Sequence, residues 1–154
     1  MAPPLKSPRI VGISGLVTTL ERSRLMSRVR GRGNENTELR LARLLRLSGI
    51  KGWRRHLRLP GTPDFAFRVE RLAVFVDGCF WHGCPKCYSA PRRNKGFWQR
   101  KVSGNRDRDV RVGRALRSRG WAVVRIWECA LRNSPDATIL RLIAVISKRR
   151  GVER

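Results

Sequence analysis

The sequence predicts an α/β domain in which a mixed β-sheet is flanked by helices. Three observations carry that prediction. Apolar periodicity along the chain runs in the order helix, strands, helix, strand, helix. Residues 72–76 (Leu-Ala-Val-Phe-Val) are the most apolar run among the strand-like segments and read as a central strand. The chain has 154 residues, 41% of them hydrophobic, enough to bury one genuine core.

The elements follow in order. Residues 1–22 read as a loose arm, and the folded domain is taken as residues 23–150. The mildly apolar stretch 10–20 follows Pro3, Pro4 and Pro8 and runs into Arg22 and Arg24 without a small-residue cleavage site, so it does not read as an export signal. Residues 27–33 (Ser-Arg-Val-Arg-Gly-Arg-Gly) are basic and glycine-broken, fit to lie against something rather than to pack inside. A first helix comes next. Thr37 stands where a cap belongs, Glu38 is in the first turn, and Leu41, Leu44 and Leu45 supply an apolar stripe beside Arg40, Arg43 and Arg46. Ser48-Gly49 ends it. Residues 53–59 alternate imperfectly as a strand, and Pro60-Gly61-Thr62-Pro63 makes a turn. Residues 64–69 and 72–76 then form a hairpin with Glu70-Arg71 at its tip. Residues 78–96 are a loop rich in Cys, Pro and Gly. Two helices are expected after it, over 97–102 and 105–118, then an apolar strand over 121–127. Pro135 opens a last helix carrying Ile139, Leu142, Ile143 and Ile146, which runs out into Lys148-Arg149-Arg150.

The charge balance bears on partners. Thirty-five Lys and Arg face eleven Asp and Glu, a net charge of +24. A field of that sign draws polyanions and makes affinity salt-sensitive through counterion release. Most of the cations are Arg, whose planar fork suits phosphates. No apolar run approaches the roughly eighteen residues that a membrane span needs.

Four groups of residues carry candidate chemistry. Asp64 opens one hairpin strand and Asp77 closes the other, so two carboxylates stand at neighbouring strand ends, where they can share a hard divalent cation such as Mg²⁺. The plain alternative makes Asp64 a turn residue and Asp77 a strand-end cap. Cys79, Cys84 and Cys87 crowd into nine residues, with Cys129 downstream. Their spacing suits a structural Zn²⁺ more than disulfides, and parallel strands at 72–76 and 121–127 would bring Cys129 to Cys79. Buried free thiols or a pair of disulfides are the alternatives. Phe80, Trp81 and His82 lie inside the same loop. The two aromatics suit insertion into a base stack, or burial against the core, and His82 suits a general base. Finally, Asp107 and Asp109 cluster at a helix start in a chain poor in acids. One of them can orient His82, or both can simply satisfy the helix dipole.

These residues resemble a known family. Phe75-Val-Asp-Gly-Cys-Phe-Trp-His-Gly-Cys84 looks like the signature of the very-short-patch repair (Vsr) endonucleases. The likeness extends to Met26-Ser-Arg-Val-Arg-Gly, Thr37-Glu38-Leu, Leu59-Pro-Gly-Thr-Pro-Asp-Phe65, Phe97-Trp98, Asn105 through Asp109, Gly120-Trp121 and Trp127-Glu-Cys-Ala-Leu131, in family order from about residue 23 to 132. The resemblance implies a restriction-endonuclease-like fold with a structural zinc, and a Mg²⁺-dependent nick on the 5′ side of the thymine in a T:G mismatch. Carried over residue by residue, it makes Asp64 the metal carboxylate, with the Val76 main-chain carbonyl on the same ion. His82 becomes the general base, Asp109 its orienting partner, and Glu38 the holder of metal-bound water. Met26, Phe80 and Trp81 become the wedge beside the mismatch, and Cys79, Cys84, Cys87 and Cys129 the zinc ligands.

Where some members have histidine this chain has Asp77, which changes its part in metal or phosphate contact. The acid-x-Lys ending of the wider nuclease superfamily is missing, as it is in the family, where the histidine does that work. The expected partner is double-stranded DNA carrying a T:G mismatch, with mismatch-repair proteins as further partners. A monomer working at the nucleoid in a bacterial cytoplasm is expected. The rival readings are a restriction-type nuclease of the same fold without mismatch specificity, and a zinc-containing DNA-binding module without catalysis.

Overall fold

The computed structural model describes residues 9–11, 17–19 and 33–152. Met26, expected in the wedge, and residues 27–32 lie outside the described residues. Within the segment expected as a loose arm, β1 (Arg9–Val11) pairs antiparallel with β2 (Val17–Thr19). Both are rich in β-branched residues, which favour extended backbone.

The body is a four-stranded sheet in the order β3-β4-β5-β6: β3 (Trp53–Arg55), β4 (Phe65–Phe67), β5 (Leu72–Asp77) and β6 (Ala122–Trp127). The first three strands are antiparallel, and β6 lies parallel to β5 with Asp77 level with Trp127. The expected mixed, helix-flanked sheet is therefore present, and the most apolar strand is central to it.

Strand alternation sorts the side chains to two faces. Leu72 and Val74 of β5, Phe65 and Phe67 of β4 and Ile126 of β6 pack on Leu41 and Leu45 of α1 (Glu38–Leu47) and on Ile139, Leu142 and Ile146 of the C-terminal helix. Ala73 and Phe75 turn to the other face and meet Leu116 of α3 (Lys95–Arg117), with Val112 and Val123 beside them. Asp77 and Arg125 fall by the same alternation on the α3 face.

Several boundaries differ from expectation. The strand expected over 53–59 stops at Arg55, because His56 adopts φ 50°, a left-handed backbone that ends a ladder. The hairpin strand expected over 64–69 is only Phe65–Phe67, and the turn takes residues 68–71, with Arg71 at φ 46°. Thr37 holds the N-cap position without capping through its side chain; the Asn34 carbonyl instead accepts from the Thr37 and Leu39 N–H groups. The helix end is as expected: Gly49 at φ 65° lets Ile50 N–H reach the Leu45 carbonyl and Gly49 N–H the Arg46 carbonyl.

The loop over 78–96 contains a one-turn helix, α2 (Cys79–His82). The two helices expected after it are one, α3, of 23 residues. Gly104 sits in its exposed middle, where a glycine costs about 1 kcal/mol but breaks nothing. After β6 come a short α4 (Glu128–Asn133) that was not anticipated and α5 (Pro135–Val152), which starts at the expected proline. No described helix is long and apolar enough to cross a membrane.

Candidate active site

The sheet brings the singled-out residues to one end. Asp64 directly precedes β4, and its Oδ2 accepts a 2.7 Å hydrogen bond from the Val76 N–H of β5. One turn residue is thereby fixed against the C-terminal half of the central strand. Burial pushes the Asp64 carboxyl up from its ordinary value; the Val76 N–H opposes this, and the nearby charge of Glu38 adds to the rise. Metal-ligating atoms of Glu38, His56 and Asp64 all lie within 4.8 Å of one another. A carboxylate that is costly to ionise, with a second hard oxygen donor beside it, fits a divalent cation, whose charge would relieve that cost.

Glu38, the first residue of α1, is buried yet fully engaged. Its Oε1 accepts the Gly33 N–H, and its Oε2 lies 2.7 Å from Arg55 Nη2 and 3.3 Å from His56 Nε2. The sequence reading placed Glu38 here and overlooked Arg55 and His56.

A second cluster gathers Asp77, His82 and Asp109 within 4.8 Å. His82 ends α2, and its Nδ1 is 2.6 Å from Asp109 Oδ2 on α3. An ionised carboxylate only accepts, so Nδ1 carries the hydrogen, and it is Nε2 that bears the lone pair of the neutral imidazole. Asp109 sits in the middle of a continuous helix, so it is not one of the helix-start acids the sequence suggested.

Asp77 closes β5 at the strand end expected for it, but with partners the sequence did not point to. Arg125 of β6 grips both its oxygens, Nε at 2.6 Å from Oδ2 and Nη2 at 2.7 Å from Oδ1, and Nη2 also stands 3.0 Å from Asp109 Oδ1. A fork-to-fork pair of this kind neutralises a buried carboxylate, and Asp77 is only 3% exposed. Asp77 therefore clusters with His82 and Asp109 rather than sharing a cation set with Asp64. Arg125 could have been found in the sequence as the one charge inside the apolar run Ala-Val-Val-Arg-Ile-Trp, because a charge in a packed strand needs a counter-charge. Burial pushes its pKa down, and the carboxylates of Asp77 and Asp109 push it further up.

The four cysteines converge as their spacing suggested. Their sulfurs all lie within 4.8 Å of one another and none is in a disulfide. The parallel register of β5 and β6 carries Cys79 and Cys129, each two residues past its strand, to the same end. Cys84 Sγ is 3.7 Å from Cys129 Sγ. Four thiolates at about 2.3 Å from a tetrahedral Zn²⁺ stand about 3.8 Å apart, so the donor set fits the ion. Burial pushes the Cys84 thiol up, but the Lys86 and Cys87 N–H groups and the Cys87 and Cys129 thiols outweigh it and bring it down to about 7. Cys79, whose thiol burial raises, accepts the Cys129 N–H at 3.3 Å.

The aromatics of α2 pack on neither sheet face. Phe80 meets Trp98 edge-on at 5.0 Å and Trp81 at 5.3 Å, with Tyr88 at 6.0 Å, a half-buried cluster above the start of α3. Asn105 Nδ2 donates to the Trp81 carbonyl at 2.7 Å, Arg106 Nε to that of His82 at 3.2 Å, and Arg106 Nη2 to that of Gly83. The run Asn105 to Asp109 thus clamps α2 from below.

A half-buried carboxylate and a carboxylate-paired imidazole at one end of a mixed sheet, in a chain of net charge +24, are the groups that a hydrolase of the nucleic-acid backbone needs. The chain belongs to the Vsr family of DNA mismatch endonucleases, whose model matches residues 15–89. It is 42% identical over 110 residues to the type II nicking enzyme V.XorIIP of Xanthomonas oryzae pv. oryzae, covering 70% of this chain and 79% of that one. It is 40% identical over 103 residues to the DNA mismatch endonuclease Vsr of Escherichia coli, covering 66% of this chain and 65% of that one. The solved catalytic domain of the homing endonuclease I-Bth0305I aligns with 73% of this chain and 94% of its own at a TM-score of 0.45 and 21% identity. The protein is accordingly a DNA-nicking hydrolase, and the non-catalytic binding module is set aside.

Proposed function

We propose that this endonuclease nicks the thymine strand of a T:G mismatch on its 5′ side, with Mg²⁺ as the catalytic ion. The observation that carries the reading is the His82–Asp109 pair beside the Asp64 cluster. Asp109 holds the imidazole by Nδ1 and leaves Nε2 free to take a proton from the attacking water. Asp64 and the Val76 main-chain carbonyl would hold the Mg²⁺, and Glu38 would hold water beside it. When bound, the ion supplies positive charge to the scissile phosphate and to the leaving oxygen. Asp77, gripped by Arg125, steadies Asp109 from behind rather than binding the ion. The Cys79, Cys84, Cys87 and Cys129 site holds Zn²⁺ and keeps α2 in place.

Phe80 and Trp81, with Met26, would enter the base stack at the mismatch. A wobble pair is easier to pry open than a matched pair, so the wedge itself selects. The enzyme would act as a monomer on chromosomal DNA in a bacterial cytoplasm, alongside mismatch-repair proteins.

The test is a nicking assay on a labelled duplex, T:G against T:A, with Mg²⁺ or EDTA. A Mg²⁺-dependent nick confined to the mismatched thymine strand is expected. It should be abolished in Asp64→Ala and slowed about 10²–10⁴-fold in His82→Ala. Equal cutting of both duplexes would sink mismatch specificity and favour a restriction-type nuclease, a reading with its own support in relatives named type II nicking enzymes.

A further inference from the structure

His56 has no part in the mechanism above, yet the backbone goes out of its way to place it. In a regular strand consecutive side chains point to opposite faces. Arg55 and His56 nonetheless both reach Glu38 Oε2, at 2.7 and 3.3 Å. The cause is the φ of 50° at His56, which turns its side chain back to the face that Arg55 already occupies. A non-glycine residue held in this region is strained, and such strain gathers at functional sites. The register explains what His56 is turned towards. Arg55 pairs with Phe65, so the ladder stops where His56 leaves β3 and Asp64 enters β4, at the same end of the strand pair. One of its ring nitrogens lies within 4.8 Å of carboxylate oxygens of both Glu38 and Asp64.

We propose that His56 is a direct protein ligand of the cation that Asp64 binds, so that the centre, while accepting Mg²⁺, binds a first-row transition ion such as Mn²⁺ more tightly. The proposal rests on the reading of Asp64 as the metal carboxylate. Neighbouring ligands about 2.1 Å from an octahedral ion stand about 3 Å apart. The 3.3 Å between His56 Nε2 and Glu38 Oε2 is close to that spacing. Imidazole nitrogen favours transition ions, whereas Mg²⁺ takes oxygen donors and keeps its waters. Glu38, anchored by Arg55 and the Gly33 N–H, faces His56 Nε2 itself and so stays in place at the edge of the cation site.

The experiment is Mn²⁺ binding to the full chain without DNA, followed by electron paramagnetic resonance. Wild type should bind Mn²⁺ and show nitrogen hyperfine coupling from a bound imidazole. His56→Gln should lose the coupling and bind Mn²⁺ at least about tenfold more weakly, with a smaller change in Mg²⁺ competition. His82→Gln should keep the coupling. Absence of Mn²⁺ binding, bound Mn²⁺ without nitrogen coupling, or a coupling that survives His56→Gln and vanishes in His82→Gln would each overturn the proposal. Should His56→Gln fail to fold, the wild-type and His82→Gln spectra decide it. Nicking of the T:G duplex by wild type in Mg²⁺ is read separately. A nick without nitrogen coupling removes the ligand and leaves the function, whereas coupling without a nick does the reverse.

Discussion

At the scale of one residue, the carboxyl of Asp64, proposed above to hold the cation, carries a cost in stability. Because burial favours the protonated form in the folded chain, ionising Asp64 costs stability. That cost is absent below the ordinary aspartate range near about 3.9, grows as pH rises towards the raised folded value, and is complete above it. Asp64→Asn keeps an oxygen for the Val76 N–H and removes the charge. In metal-free protein it should therefore melt higher than wild type at neutral pH, by a margin that shrinks to nothing under acid. Mg²⁺ should raise the melting temperature of wild type and leave the variant unmoved. Thermal melts across pH, with and without the ion, check this; a variant that melts lower at neutral pH would contradict it.

Residues were legible to different degrees for physical reasons. Asp64 and His82 stand in motif segments whose residue types are distinctive, and Asp109 was singled out as an acid in an acid-poor chain. His56 was invisible because its importance lies in a backbone angle, and no residue type announces that. Arg125 was passed over inside an apolar strand, although its partner Asp77 lies only across the β5–β6 pairing.

At the scale of elements, periodicity located the central strands and the first and last helices, while the junctions escaped it. Ser103-Gly104 reads as a break only if local propensity decides, but α3 runs through it because packing on either side holds the helix. The meeting of four sulfurs at the loop over 78–96 was legible from spacing, but the one-turn helix α2 inside it was not, since so short a helix has no period to show and depends on long-range contacts.

That dependence is testable. Protein purified without chelator should carry one Zn²⁺ per chain by elemental analysis. Cys129→Ser should reduce the zinc content and lower the melting temperature by more than about 5 °C, given about 2–4 °C per kcal/mol for a chain of this size. Tryptophan fluorescence should shift as well, because Trp81 and Trp98 pack together only while α2 is held over α3. Zinc-free wild type with an unchanged melting point would show that the thiols are merely buried neighbours.

The whole molecule carries a charge of +24, which the active site alone does not need. The four carboxylates placed at the site are each drawn into a cluster, so the remaining field is free to act on DNA. Exposed Arg108, Arg111, Arg114 and Arg117 extend it along α3, on the helix that presents Asp109. Phosphate contacts fix register but carry no sequence information, whereas the mismatch is read by its ease of deformation. The two contributions should therefore separate with salt. Affinity for T:G and for T:A duplexes should fall in parallel as salt rises, with a loss of about 10³–10⁵-fold between roughly 50 and 200 mM if six to ten phosphates are engaged. The ratio of the two affinities should hardly move. Replacing Arg114 and Arg117 by alanine should flatten both salt slopes by up to about two and leave that ratio intact. Fluorescence anisotropy in EDTA measures all of it without cleavage. A preference for T:G that disappears with salt would mean that the arginines, and not the aromatic cluster of α2, recognise the mismatch.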